Sequence, residues 1–170
     1  MQFNKKGQAW SLDFIMMSMI LIAILFTIIY SWNFISIRWN NITVYNRQYV
    51  AGLILSESLV SSSGNPPSWE YLNTTNTSTL IQIGLTNERN KINTAKLDRL
   101  NNLSLQNYSF VKQVLGIQNY EFFINVSNLD RNVTLYSIGN ITQEFNDTVS
   151  FERVGLYNDS IVFLRVEVWK

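Results

Sequence analysis

The longest apolar segment lies near the N-terminus and constrains what the rest of the chain can become. Between Phe14 and Ile37 there is no charged residue, no proline and no glycine. As an α-helix this segment is about 36 Å long, at about 1.5 Å per residue, which is enough to cross the hydrocarbon core of a bilayer. A helix buried in a soluble core is usually shorter and keeps a polar stripe. The sequence therefore predicts a membrane-spanning helix.

A short polar segment precedes the apolar one. It contains Lys5, Lys6, Gly7 and Gln8, and its acidic residue, Asp13, comes directly before the apolar run. A secretory signal peptide would have a shorter apolar core that ends in small residues. The pattern instead resembles the class III signal of archaeal type IV pilin-like proteins. By that resemblance a prepilin peptidase cuts between Gly7 and Gln8, and the apolar helix stays on the mature protein.

The resemblance also gives a role to Asp13. In the family an acidic residue near the cut pairs with the new N-terminal amine of a neighbouring subunit during assembly. A carboxylate at a membrane edge is costly without a cation, so such a pair would offset the cost. The usual pattern places serine third and glutamate fifth after the cut, whereas Ser11 is fourth and Asp13 sixth. The alternative is that Asp13 is an interfacial residue whose charge suits the N-terminus of a helix.

Composition excludes several classes of function. The formal net charge is +1, and it becomes −1 without the two lysines of the leader, so no basic field for nucleic acid is present. Cysteine and histidine are absent, which removes disulfides, the commonest zinc ligands and the commonest general base. The twelve carboxylates are scattered singly, without a phosphate-binding glycine loop or metal-ligand spacing. The sequence predicts no enzyme, no metal and no cofactor.

Glycan acceptor triplets are unusually frequent. Ten of the 21 asparagines begin Asn-x-Ser/Thr, whereas chance would give about three or four such triplets. We expect N-linked glycans on several of them if the chain is exported. Asn41 is the weakest candidate, because it lies just past the apolar run on a predicted helix. The other nine predicted acceptors are Asn73, Asn76, Asn102, Asn107, Asn125, Asn132, Asn140, Asn146 and Asn158.

The charges that flank the apolar run predict its orientation. Lys5 and Lys6 precede the run, and Arg38 alone follows it. Because positive residues collect on the cytoplasmic side, the N-terminus is predicted to be cytoplasmic and the remainder extracellular. The chain then divides into a leader (1–7), a hydrophobic helix (8–37) and a head domain (38–170).

The helix is predicted to continue beyond Arg38 as an amphipathic segment that covers a sheet. Polar residues such as Ser56 and Ser58 fall between the apolar positions. A glycine and two prolines, Gly64 and Pro66-Pro67, end the helix. A membrane anchor followed by a separate helix is the alternative. The apolar positions are Trp39, Ile42, Tyr45 or Asn46, Tyr49, Leu53, Leu59 and Val60.

The rest of the head domain reads as short helices followed by strands. Asn93 or Thr94 can cap a helix that continues to Leu103, and alternating apolar residues predict the later strands. A change of apolar phase between Phe151 and Val154 suggests a β-bulge. The predicted elements are a strand at Leu80–Leu85, a helix at Tyr108–Leu115, a strand around Phe122–Val126, and strands at Val133–Ile138, Val149–Tyr157 and Ser160–Trp169, the last two joined by an Asn158-Asp159 turn.

Together these patterns predict an α+β, pilin-like fold. One half of the long helix would span the membrane or form a filament core, and the other half would pack on an antiparallel sheet of four or more strands. The resemblance implies a structural subunit, major or minor, of a cell-surface filament. Its partners would be copies of itself or other pilins, the prepilin peptidase and the membrane, with no nucleic acid. The alternative is a single-pass, glycosylated surface protein, such as an adhesin or receptor subunit, that does not polymerise.

Overall fold

A computed structural model describes residues 5–72, 79–141 and 148–170, without the side chains of residues 5–11, 40 and 41. The expected α+β class with a long N-terminal helix is confirmed. In order along the chain the elements are α1 (Lys5–Ser61), a short 3-10 helix (Trp69–Tyr71), β1 (Thr86–Glu88), β2 (Lys91–Ile92), α2 (Thr94–Gln106), α3 (Tyr108–Val114), β3 (Glu121–Asn128), β4 (Thr134–Gly139), β5 (Val149–Tyr157) and β6 (Ser160–Trp169).

The chain divides into two compact units, Met1–Val44 and Tyr45–Lys170. In the first unit the described residues belong to helix α1, whose apolar side chains are exposed. One helix is long and apolar enough to cross a membrane, by its length and composition. The second unit contains the last turns of α1 and all the strands, and it has its own hydrophobic core.

The second unit is built on a six-stranded sheet with the order β1-β2-β5-β6-β3-β4. The pairs β5–β6, β6–β3 and β3–β4 are antiparallel. The sheet as a whole is mixed, because β2 runs parallel to β5 through the pairing of Lys91 with Leu156. An antiparallel sheet was the expectation, and the parallel contact joins two strands that are separated along the chain by α2, α3, β3 and β4, so local sequence patterns give no sign of it.

Alternation along the strands explains which face of the sheet is buried. On β6, Val162, Leu164, Val166 and Val168 are all buried while Arg165 is exposed. Alternate residues of β3 join them in the core, because successive side chains of a strand point to opposite faces. The partners from β3 are Phe122, Ile124 and Val126.

The predicted bulge in β5 is wrong. Strands β5 and β6 pair one to one from Val149 to Tyr157, with no shift of register. Phe151 therefore faces the core, whereas Val154 lies on the outer face and is 53% exposed. The apparent change of phase was an apolar side chain on the solvent face, and hydropathy alone cannot distinguish that arrangement from an inserted residue.

The predicted buried face of α1 is wrong in its details. Leu53 was expected to cover the sheet, yet it is 37% exposed. Tyr49 is 44% exposed, although the centre of its ring lies 5.1 Å from that of Phe151 on β5. Ser56, predicted between the apolar positions, is fully buried. The side chains that face the sheet are shifted around the helix because small residues allow closer packing than large ones. This buried face comprises Gln48, Gly52, Leu55, Ser56, Leu59 and Val60.

The short helices follow their predicted caps, whereas one predicted strand is wrong. The Asn93 side chain accepts hydrogen bonds from the backbone N–H groups of Ala95 and Lys96, and so caps α2. Helix α3 ends beside Gly116, which has φ of +73°. The segment predicted as a strand at Leu80–Leu85 forms one isolated bridge, between Gln82 and Asn65. Its backbone instead binds the end of α1, for example through Leu85 N–H and Leu59 C=O at 2.9 Å.

Candidate membrane helix, assembly face and glycan acceptors

Two hydroxyl groups in the apolar part of α1 form hydrogen bonds within the helix. The Ser18 hydroxyl donates to the Phe14 carbonyl, and the Thr27 hydroxyl donates to the Ala23 carbonyl, both at 2.8 Å. Hydroxyl groups placed this way need no water, and they are tolerated in lipid because the helix itself supplies their acceptors. The helix surface is therefore compatible with lipid or with other apolar helices.

The C-terminal boundary of the apolar run carries an aromatic and cationic pair. The guanidinium carbon of Arg38 lies 5.1 Å from the centre of the Phe34 ring, and Trp32 and Trp39 are largely exposed nearby in sequence. Aromatic rings and long cationic side chains favour the boundary between hydrocarbon and water. This composition fits an interfacial position for residues 32–39.

The predicted processing and assembly residues lie at the other end of the helix. Gly7 and Gln8 belong to α1 by their backbone, and their side chains lie outside the described part of the chain. Asp13 is exposed on the helix. The ion pairs found among the described side chains all lie in the second unit and do not include Asp13. A pairing of Asp13 with another subunit remains a prediction.

A second apolar surface was missed by the sequence reasoning. On α1 within the second unit, the side chains that do not face the sheet include Val50, Leu53 and Ile54, which are 50%, 37% and 63% exposed. We call these three residues the outer apolar face of α1. Hydropathy marked this half of the helix as amphipathic but assigned its apolar residues to the core. Only the burial of Gln48 and Ser56 shows that the apolar positions are divided between two faces.

Most described acceptor asparagines are exposed. Asn73, Asn76 and Asn146 lie outside the described residues, as does the side chain of Asn41. Two of the exposed acceptors occupy turns: Asn132 lies between β3 and β4, and Asn158 lies in the two-residue turn between β5 and β6. The exposed set is Asn102, Asn107, Asn132, Asn140 and Asn158.

Three acceptors have more restricted surroundings. Asn107 Oδ1 accepts a hydrogen bond from Phe110 N–H and caps α3, which leaves its amide nitrogen available. The Asn140 amide nitrogen, the atom that would carry a glycan, donates to Glu121 Oε2 at 3.2 Å. Asn125 is half-buried on the central strand β3, between Ser137 on β4 and Arg165 on β6. Asn125 therefore has the least room for a sugar.

Two charged groups with shifted pKa values stabilise the fold of the head. Burial lowers the pKa of Lys96, against the raising effect of Glu70, and its ammonium donates to the carbonyls of Ser63 and Thr86 at 2.8 and 3.0 Å. Burial raises the pKa of Glu121. Hydrogen bonds from Lys112, Tyr108 and Asn140 have the opposite and together larger effect, so the pKa of Glu121 is below its ordinary value. Lys96 thus binds backbone carbonyls, whereas Glu121 binds neighbouring side chains.

Within the described residues, no three acidic side chains converge as a metal site would require. A scan against protein-family models and searches of the curated proteins and the solved structures find no match to this chain.

Proposed function

We propose that the chain is a structural subunit of an archaeal type IV pilus-like filament on the cell surface. Its leader, 1–7, is removed, and its apolar helix inserts first in the membrane and then among copies of itself or other pilins. The helix-plus-sheet head lies outside the cell and carries N-linked glycans. In this proposal the fold is pilin-like, with the antiparallel strands β5, β6, β3 and β4 as the body of the head.

The observation that carries the proposal is the outer apolar face of α1. A helix that only holds a head above a membrane needs an apolar surface within the lipid and a polar surface beyond it. Here Val50, Leu53 and Ile54 are exposed well beyond Arg38, in the unit that has its own core. Exposed apolar patches of this kind mark interaction sites. Neighbouring helices in a filament would cover this face.

The mechanism of such a subunit is mechanical. The charge-free helix packs against other helices once it leaves the lipid, and the hydroxyl groups of Ser18 and Thr27 already have acceptors because they bind their own backbone. The carboxylate of Asp13 sets the position of each helix by pairing with the N-terminal amine of a neighbour, as the resemblance implies. Removal of the outer apolar face from water supplies favourable free energy for assembly, and close packing between the apolar helices adds to it.

The alternative is a glycosylated surface protein that stays in the membrane as a single-pass anchor. The same apolar run would anchor it, and the same asparagines would carry its glycans. A helix that stays in lipid needs no specific contact with another helix. Its leader would remain attached, and the outer apolar face of α1 would need another cover. This reading is favoured only by the one-residue offset of Ser11 and Asp13 from the common pattern.

The first test is the intact mass and N-terminal sequence of the protein from its native membrane. We expect a start at Gln8 and added glycan mass. A start at Met1 would refute the filament proposal and leave the anchored protein. Replacement of Gly7 by leucine should block processing, because the resemblance places the cut after this glycine, whereas the nearby Asn4→Ala change should not.

The second test addresses the outer apolar face. The Val50→Ser/Ile54→Ser variant should reach the membrane in normal amount and keep its head folded, yet it should be lost from filaments sheared off the cells. Leu105→Ser is the matched control, since Leu105 is 79% exposed on α2, away from this face. Equal incorporation of both variants would show that the outer apolar face does not contribute to assembly.

A further inference from the structure

The sheet also has an exposed apolar patch, on the face opposite the core. Strands β5 and β6 place Leu156 beside Ile161 and Val154 beside Phe163. Val154, Leu156 and Ile161 are 53%, 45% and 46% exposed, and Phe163 is half-buried. We call these four residues the distal patch. None of them belongs to α1, so the distal patch is separate from the outer apolar face of that helix.

Polar groups border the distal patch on one side. The guanidinium carbon of Arg131 lies 4.7 Å from the centre of the Phe163 ring, and the Arg131 side chain also forms an ion pair with Glu152 at 2.7 Å. Arg131 comes from the turn between β3 and β4, where its backbone donates to the Asn128 carbonyl at 3.0 Å. The turn is therefore held against the outer face of β6 and supplies hydrogen-bond donors and acceptors beside apolar carbon.

Two acceptor asparagines lie at the same end of the sheet. Asn132 directly follows Arg131, and Asn158 opens the turn that joins Leu156 to Ile161. Both are exposed, and Asn158 adopts the left-handed φ of +49° in a tight turn. Strand pairing brings the two turns together, because Asn128 at the end of β3 is the partner of Val162 near the start of β6. Each acceptor is thus within a few residues of the patch.

We propose that N-linked glycans on Asn132 and Asn158 cover the distal patch. A sugar ring has an apolar face of C–H groups, which would pack on Val154, Leu156 and Ile161, and hydroxyl groups, which would bind the Arg131–Glu152 pair. Glycans at both turns also obstruct a protein partner, so the covering group is the chain's own sugar. This inference rests on export and glycosylation in the proposed function, and it does not require filament assembly.

The test uses the full-length protein purified from its native membrane. Glycopeptide mass spectrometry should find Asn132 and Asn158 occupied. Hydroxyl-radical footprinting should then show protection of Val154, Leu156, Ile161 and Phe163, and that protection should be lost in the Asn132→Gln/Asn158→Gln variant. Asn102→Gln is the matched control, because Asn102 is an exposed acceptor on α2. Its loss should leave the labelling of the patch unchanged.

Three results would overturn the inference. Occupied Asn102 with unoccupied Asn132 and Asn158 would show that the chain is exported and glycosylated but that the patch has no sugar cover. Occupied turns with unchanged labelling in the double variant would place the sugars elsewhere. Protection that persists in the double variant together with dimer formation would assign the patch to a protein contact. Absence of glycan on every acceptor would refute the glycosylation on which this inference rests, whereas the filament assembly in the proposed function is tested separately by the N-terminal sequence.

Discussion

At the scale of single residues, the head domain depends on a buried cation. Lys96 is completely buried, and its ammonium donates to the carbonyl of Ser63, in the loop that follows α1, and to that of Thr86 on β1. A buried carbonyl that lacks a hydrogen-bond donor is costly. The cost of burying the ammonium is therefore offset by groups that would otherwise be unpaired. Sequence reasoning assigned no role to this lysine.

Replacement of Lys96 by alanine should destabilise the head. The change leaves a cavity and removes the donor of two buried carbonyls, and we expect a loss of about 2–4 kcal/mol in the free energy of unfolding. Thermal unfolding in detergent, followed by near-ultraviolet circular dichroism, measures it. Lys91→Ala is the control, since Lys91 is exposed on β2. Equal effects of the two changes would contradict the role of the buried ammonium.

The lowered pKa of Glu121 predicts that the free energy of unfolding decreases at acidic pH. Its pKa is lowered in the folded protein, so its contribution is present above the unfolded pKa and is lost as the pH falls through the folded pKa. Glu121→Gln should cost about 0.5–1 kcal/mol at neutral pH, as expected for a partly exposed ion pair with Lys112. The difference between Glu121→Gln and the native chain should shrink as the pH falls below the ordinary glutamate pKa of about 4.3 and through the lower pKa of the folded protein. A difference that is constant over this range would show that the charge of Glu121 is not involved.

At the scale of elements, the contact between α1 and the sheet is set by a small residue. A side chain added at Gly52 would lie 2.6 Å from a carbon of the Phe151 ring, and Gln48 donates from its side chain to the Val168 carbonyl at 2.8 Å. Helix and sheet approach closely because Gly52 has no side chain to hold them apart. This explains why the buried face of α1 is not its most apolar face.

Replacement of Gly52 by valine should separate the helix from β5 and β6. We expect a loss of about 1–3 kcal/mol from overpacking, measured by thermal unfolding of the full chain. Asn46→Val is the control on the same helix, because Asn46 is exposed and its helix propensity is close to that of valine. The Phe151→Leu change should partly restore the Gly52→Val variant, and strict additivity of the two changes would argue against direct contact.

At the scale of the whole molecule, the chain combines a helix fit for lipid with a head that has its own core. None of the most apolar stretch of α1 is buried, whereas the second unit has a contiguous set of buried aliphatic and aromatic residues. The two units thus differ in how polar groups are satisfied. In the first, the hydroxyl groups of Ser18, Thr27 and Thr43 bind their own helix, and in the second, strands and caps satisfy much of the backbone.

Membrane insertion should therefore depend on the centre of the apolar run. Leu25→Lys places a charge near its middle, where a lysine costs about 2.5–3.5 kcal/mol, whereas Ile37→Lys places the same charge at its boundary. We expect the carbonate-resistant membrane fraction to fall strongly for Leu25→Lys and little for Ile37→Lys. Equal fractions for the two variants would mean that this segment does not span the bilayer.

Local patterns in the sequence determined the apolar helix, the Asn93 cap of α2, and the strands β5 and β6. These features depend on neighbours along the chain, so periodicity and turn chemistry are sufficient to predict them. The parallel pairing of β2 with β5, the burial of Lys96 and the division of α1 into two faces were decided by tertiary structure. Each depends on residues far apart in sequence, and close packing at Gly52 favours small side chains that hydropathy does not rank as core.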